Sequence, residues 1–329
     1  MRLCSLVALV LVAACNRAPE SPAAKPSTGR SSGPAKIDPH YDAKFWDVWG
    51  DGKGELSAYS LTIPRYKQLR KGVAVTIFVT EPFSNSLRVK ADPGKHGPGD
   101  EFPVMKLNLI KDYQTGIYDY NEMLSTFVSL APVNNRAAGI TKVSFSSQEW
   151  CGHVYSQILF GETRAQATQH SYFDGEADQQ RDIEYADKSY SEDALMMWAR
   201  GMTRPFTGAG TSSEYPMLTS LATSRARHEP LKWSPTAFLR DSGAQTIRVP
   251  AGSFEVEVFR TRHRDGSWKA YYVEKESPKR IVRWETSEGE KAELLGSDRL
   301  KYWEMNGEGG EAALTRLGVS RMTPPSFLK

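Results

Sequence analysis

From Glu55 to Trp303, apolar side chains recur mostly at every second position rather than every third or fourth. Leu61 and Ile63, then Met105, Leu107 and Leu109, then Phe254, Val256 and Val258 each alternate with polar neighbours. Period two puts successive side chains on opposite faces of a strand, which a helix cannot do. The β-branched run Val73–Val79 has strand length and composition. Turn residues punctuate these runs: Gln114-Thr115-Gly116, Asp174-Gly175, Pro250-Ala251-Gly252, Asp265-Gly266, Ser277-Pro278-Lys279 and Glu288-Gly289. Such short connections leave room only for antiparallel neighbours. The expected fold class is therefore mainly β, with antiparallel curled sheets or half-barrel modules and one or two short helices.

Helical signals are few. Ser191 can cap a helix with Glu192 and Asp193 in its first turn and apolar residues over Ala194–Met202. A second short helix is expected near Glu311–Leu317. Arg204–Pro216 reads as a long Gly/Pro-rich loop, and Met217–Ala226 fits strand or helix equally.

The N-terminus carries a different message. Met1-Arg2 precedes an apolar run, Leu3–Val12, too short to span a bilayer, and then Ala13-Ala14-Cys15. The cysteine directly after two alanines resembles a bacterial lipobox. That resemblance implies cleavage before Cys15, lipidation of its thiol and a membrane as partner. Asn16 in place of Asp resembles an outer-membrane destination, which places the protein in the cell envelope facing the periplasm. Residues 1–14 are thus expected to be a signal peptide and 15–42 a lipidated, disordered tether of Pro, Ser, Gly and Ala. An N-terminal β module over 43–186 and a C-terminal one over 187–329 follow, as two domains or one continuous domain.

The balance of 42 Lys+Arg against 39 Asp+Glu leaves no nucleic-acid footprint. Of three cysteines, Cys4 goes with the signal and Cys15 with the lipid, so Cys151 has no partner for a disulfide.

The segment from about 187 to 303 resembles the DUF3108-type periplasmic β proteins. The resemblance rests on Asp193–Arg200, on Val249-Pro250-Ala251-Gly252-Ser253-Phe254 and on Ile281-Val282-Arg283-Trp284-Glu285. It implies an envelope protein with an antiparallel half-barrel similar to lipoprotein carriers. The N-terminal part is similar to bacterial exported proteins that carry Ser-Ser-Gln-Glu-Trp-Cys-Gly-His, some labelled septum formation inhibitor Maf. The basic, serine-containing nucleotide-pyrophosphatase motif that this label requires is absent from the chain.

Ser146–Gln157 is the most distinctive string. Read as one strand, it aligns Glu149, Cys151, His153, Tyr155 and Gln157 on one face, a parity that a bulge at Gly152 would break. These residues form the candidate ligand or reactive cluster. In the reactive reading Cys151 is a nucleophile, His153 its base, and Glu149 or Gln157 the orienting group. Neighbours two apart on a strand lie about 7 Å apart, too far for a direct hydrogen bond. The competing reading is a packed cysteine beside a hydrogen-bonded histidine. The six histidines show no metal-ligand spacing, and no phosphate loop, nucleophile elbow or dinucleotide fingerprint is present, so neither metal nor cofactor is expected.

Three functions fit: a non-enzymatic envelope lipoprotein that binds a hydrophobic ligand or envelope polymer, an envelope hydrolase or acyltransferase using Cys151 and His153, or a structural envelope protein.

Overall fold

The computed structural model describes residues 37–320 apart from Pro98, Asn134, Ala186 and Asp187. The alternating runs form strands, and the first eight make a meander. They are β1 (Gly54–Arg65), β2 (Gln68–Ser84), β3 (Glu101–Thr115), β4 (Tyr118–Ser129), β5 (Ile140–Glu149), β6 (Gly152–Phe160), β7 (Arg164–Ser171) and β8 (Gln179–Glu184). The second series is β9 (Tyr190–Ser191), β10 (Ser212–Leu218), β11 (Trp233–Arg240), β12 (Gln245–Val249), β13 (Gly252–His263), β14 (Trp268–Glu274), β15 (Ile281–Thr286) and β16 (Lys291–Leu300). Among the described residues three short α-helices accompany them: α1 (Ala43–Trp49), α2 (Leu195–Ala199) and α3 (Leu221–Arg227).

All sixteen strands belong to one sheet. It runs from β8 back to β1, crosses to β16, descends to β13, and continues through β11, β10 and β9, with β12 beside β13. Every pairing is antiparallel except the short β9–β10 contact. Strands β1–β8 and β9–β16 are two arms of this sheet, joined where Ser57 of β1 faces Ser297 of β16 with hydroxyls 2.9 Å apart.

The sheet curls until its arms meet without strand pairing. Val143, Phe145, Ile158 and Phe160 of one arm pack with Leu218 and Leu221 of the other. Across the same seam, the Trp233 indole donates to the Glu184 carbonyl at 3.0 Å.

Inside the curl lies α2. Leu195, Met196, Met197, Trp198 and Ala199 are all buried, as a helix apolar on every side must be. The Trp198 ring meets Phe238 and Phe259 edge-on, with centroids 5.0 and 5.6 Å away. The helix ends at Arg200, whose guanidinium grips Glu55 with two bonds of 2.6 and 3.0 Å and also donates to the Pro278 carbonyl. Phe78 lies against this guanidinium at 4.2 Å. Glu55 heads the inward row of β1, which continues through Tyr59, Leu61 and Ile63.

Two expectations change, and one helix lies where the sequence carried no expectation. The packed chain begins no later than Ile37, rather than at 43: the Tyr41 ring is buried and its hydroxyl donates to the Met202 carbonyl at 3.0 Å. The aromatic cluster Phe45–Trp49 is helical, with Asp42 capping α1 by accepting from the Phe45 amide. Finally, the Arg204–Pro216 loop gives way to strand β10 from Ser212 onward. Cys15, the expected lipidation site, and the rest of 1–36 lie outside the described residues.

Candidate functional site

The hairpin turns β1–β2, β3–β4, β5–β6, β13–β14 and β15–β16 share one end of the sheet, and α3 lies across that end. The sequence between β10 and β11 folds as a helix because Ser220 supplies the cap, accepting from the Ala222 amide at 3.1 Å. The turn before α2 completes the N-terminus. Glu192 accepts from the Ser220 amide at 2.7 Å, while Asp193 takes the Leu221 amide and the Ser220 hydroxyl at 3.2 and 2.5 Å. Carboxylates satisfy donors that the helix itself leaves unpaired.

The other end of α3 is tied down by side-chain pairs. Arg225 forms a buried ion pair with Glu149 at the end of β5, and its guanidinium lies 4.0 Å over the Phe173 ring. His228 sits 2.5 Å from Glu176, and Arg227 pairs with exposed Glu288 before β16. The helix is thus a lid spanning the two arms.

Beneath it is a cavity of about 270 Å³. Its walls combine Leu107, Leu109, Leu124 and Met196 with a set of deep ionisable groups. Lys269 contacts Glu192 at 2.6 Å. Lys111 contacts Glu290 at 2.7 Å, and the Trp284 indole also donates to Glu290 at 2.7 Å. Tyr113 donates to Glu122 at 2.9 Å.

Burial favours the neutral form of each group, and the pairs resist it. Burial pushes the Glu192 carboxyl up, but Lys269 outweighs it and holds Glu192 below the usual range. Lys111 does the same for Glu290. Burial pulls the Lys269 ammonium down, yet Glu192 more than reverses that and its affinity for the proton rises. Glu122 lacks such a partner: burial outweighs the pull of Lys111 and the Tyr113 bond, and its carboxyl is raised. Asp193 is pushed up by burial to about 7, against the hydrogen bonds from Ser220 and Leu221. The two closed ion pairs are locally neutral, which leaves Glu122 as a cavity acid that belongs to none of the ion pairs among the described residues.

A wider groove of about 620 Å³ follows the seam, between β7–β8 and the segment after α3. Its walls include Thr168, Gln169, Arg181, Glu184, His228 and Trp233.

The Ser146–Gln157 string is not one strand. It is a hairpin in which Glu149 faces Gly152 and Trp150-Cys151 form the turn. The turn reverses the chain and divides the expected cluster. Glu149 points inward to Arg225, whereas His153 and Tyr155 are exposed, and Tyr155 bonds Gln157 at 3.2 Å on the outer side. Cys151 is exposed at the tip, so the packed-cysteine reading does not hold. Nor does the structure bring Glu149 to the side of His153 where it could orient that ring. Gly152 is required here by crowding: an added Cβ would lie 2.5 Å from the Tyr172 ring.

The cavity acids and lysines were not singled out in the sequence, although their signal is present. Lys111 continues the inward row Met105-Leu107-Leu109, and Glu122 precedes Leu124 and Thr126 in the inward row of β4. A charge in the apolar register near a strand end marks an inward ionisable group. Of the aromatics, Trp268 and Trp284 line the cavity, while Trp150, Tyr155 and Trp303 are exposed.

No family model matches the chain, and no curated protein does either. Among solved structures, the chain is similar to a β-barrel-like protein of the domain of unknown function DUF1849 from Brucella abortus. The identity is 10%, the TM-score is 0.42, and the match covers 75% of this chain and 98% of the other.

Proposed function

We propose that the protein is a non-enzymatic binding protein of the cell envelope that holds a small amphipathic molecule beneath α3. The observation that carries this reading is the cavity of about 270 Å³, walled partly by leucines and partly by fixed ion pairs, under a roof of one short helix. Small-molecule sites combine apolar walls with a few placed polar groups in this way. A cavity of this size suits a compact molecule or the end of a larger envelope component. Its apolar part would lie against Leu107, Leu109 and Leu124, and its polar part would meet Glu122. The Leu3–Cys15 pattern supports an anchor at Cys15 on the periplasmic side of the outer membrane, and the DUF3108-type resemblance of 187–303 agrees with an envelope location.

Native mass spectrometry of protein isolated from its own envelope tests the cavity. An adduct is expected for the natural chain and should be lost in Leu109→Trp, which fills the space while keeping the β circular-dichroism spectrum. An unliganded natural chain whose melting temperature is unmoved by an envelope extract would overturn the reading. The anchor is tested separately: Cys15→Ala should release the protein from membranes, and the Cys15 peptide should carry the lipid mass.

A further inference from the structure

The tips on the cavity side carry an unusual set of exposed side chains. Tyr66 and Leu69 on β1–β2, Ile117 on β3–β4, Trp150 on β5–β6 and Tyr172 after β7 are each more than half exposed. They form one arc. The Tyr66 hydroxyl lies 2.6 Å from that of Tyr120, Trp150 stacks on Tyr118 at 5.6 Å, and the Tyr172 ring covers Gly152. Exposed large apolar groups in a contiguous set mark an interaction surface.

Charge identifies the partner. Arg65, Lys67, Arg70 and Lys71 crowd one turn of the β1–β2 hairpin with no acid between them. None of the four belongs to an ion pair among the described residues. Asp119 on the adjacent tip and Asp174 beside Tyr172 are the exposed acids outside the ion pairs there, against four cations, while Glu176 and Asp178 of the β7–β8 turn contact His228 and His170 at 2.5 and 2.8 Å. Tyr and Trp at the headgroup level, with cations beside them, are the chemistry of an anionic lipid interface.

The backbone of the tip adds a second observation. Tyr66 and Lys67 both hold left-handed conformations, at φ 52° and 60°, in a two-residue hairpin turn. Asn-Gly makes this turn without strain, yet the chain places a large aromatic and a lysine there.

We propose that this arc of hairpin tips docks on an anionic bilayer surface, which sets the mouth beneath α3 at the lipid headgroups. The contact is distinct from any lipid on Cys15 and does not depend on what the cavity holds.

The exposed Cys151 offers a reporter beside Trp150. In the full chain with Cys4→Ser and Cys15→Ser it is the sole thiol, and an environment-sensitive fluorophore on it reads the tip and not the N-terminal leader. With phosphatidylcholine vesicles containing phosphatidylglycerol, its emission should shift to the blue and the shift should fade at high salt. Pure phosphatidylcholine should give little change. Lys67→Ala with Arg70→Ala should weaken the response about thirtyfold, from the attraction expected of two cations near such a surface. Ile117→Ser should reduce the shift at saturation. Lys44→Ala with Lys53→Ala, at the opposite end, should leave it unchanged. Emission that ignores both vesicle types, or the same response from the Lys67/Arg70 variant with its β spectrum intact, overturns the proposal. A shift caused by solubilised envelope proteins and not by vesicles overturns it in favour of a protein partner. Cavity occupancy is measured separately by mass spectrometry, so either idea can fail alone.

Discussion

Helices α2 and α3 are both short, and each is bound through a buried arginine–carboxylate pair, yet they do different jobs. At α2, every helical residue is buried, and Arg200 makes a bidentate bond to Glu55 with a third bond to Pro278. At α3, Leu221 and Arg225 are the buried residues, and the second carboxylate oxygen of Glu149 has no hydrogen-bond partner. One pair lies within a packed core, where hydration requires unfolding. The other lies under a helix whose outer face already meets solvent, so moving that helix alone lets water in. The same ion pair is thus a permanent tie at one end of the curl and a latch at the other.

Arg200→Met should be the most damaging change, because it strands Glu55 in the core. A loss of about 3–5 kcal/mol is expected in urea unfolding, with the slope unchanged. Adding Glu55→Leu should recover much of it.

Arg225→Met should cost less, about 2–3 kcal/mol, because undocking α3 limits the penalty of leaving Glu149 unpaired. Hydrogen exchange should rise selectively over residues 221–227. Protection lost equally over β1 and α2 would remove the distinction between tie and latch.

Acidity should act on the latch end. Asp193 is raised to about 7 by burial, so the folded protein keeps a proton there that the unfolded chain releases above about pH 4. Stability is therefore fullest below that and falls as pH rises through 7. From pH 5 to pH 8 the loss from Asp193 is on the order of 2 kcal/mol, and Asp193→Asn should remove that share, leaving the part due to Glu122, which burial also raises. Glu192 is lowered instead, so its contribution disappears only on the acid side and does not mask this window.

Cys151→Ser should change stability by less than about 0.5 kcal/mol, since the residue is exposed at a turn. In the folded natural protein, the thiol should react completely with an alkylating reagent.

Much of the fold was legible because alternation survives wherever one strand face is buried. Met105-Leu107-Leu109 and Phe254–Val258 gave strands at once, and Asp265-Gly266 gave the hairpin from β13 to β14. The failures have local causes. Phe45-Trp46-Asp47-Val48-Trp49 is too short to show a helical period, so its cap at Asp42 was the usable clue. Pro216 argued against a strand, but it lies opposite Pro235, where the ladder is already short of donors. Trp150-Cys151 lacks the residues that usually announce a two-residue turn, so the 146–157 string invited a reading as one face. The cavity itself was beyond alternation: Lys111 of β3, Glu122 of β4, Lys269 of β14 and Glu290 before β16 meet only after the arms curl.

The junction of β1 with β16 has a consequence in time. Ser57 and Ser297 are 240 residues apart, so the central pairing of the sheet closes a loop nearly as long as the folded chain. Such non-local contacts form slowly. Until Lys291–Leu300 has been made and brought home, β1 presents an open edge, the kind of edge on which chains aggregate. A chain cut short before Lys291 would keep that edge exposed for its lifetime. The last regular strand to be synthesised is therefore the one that makes the first safe.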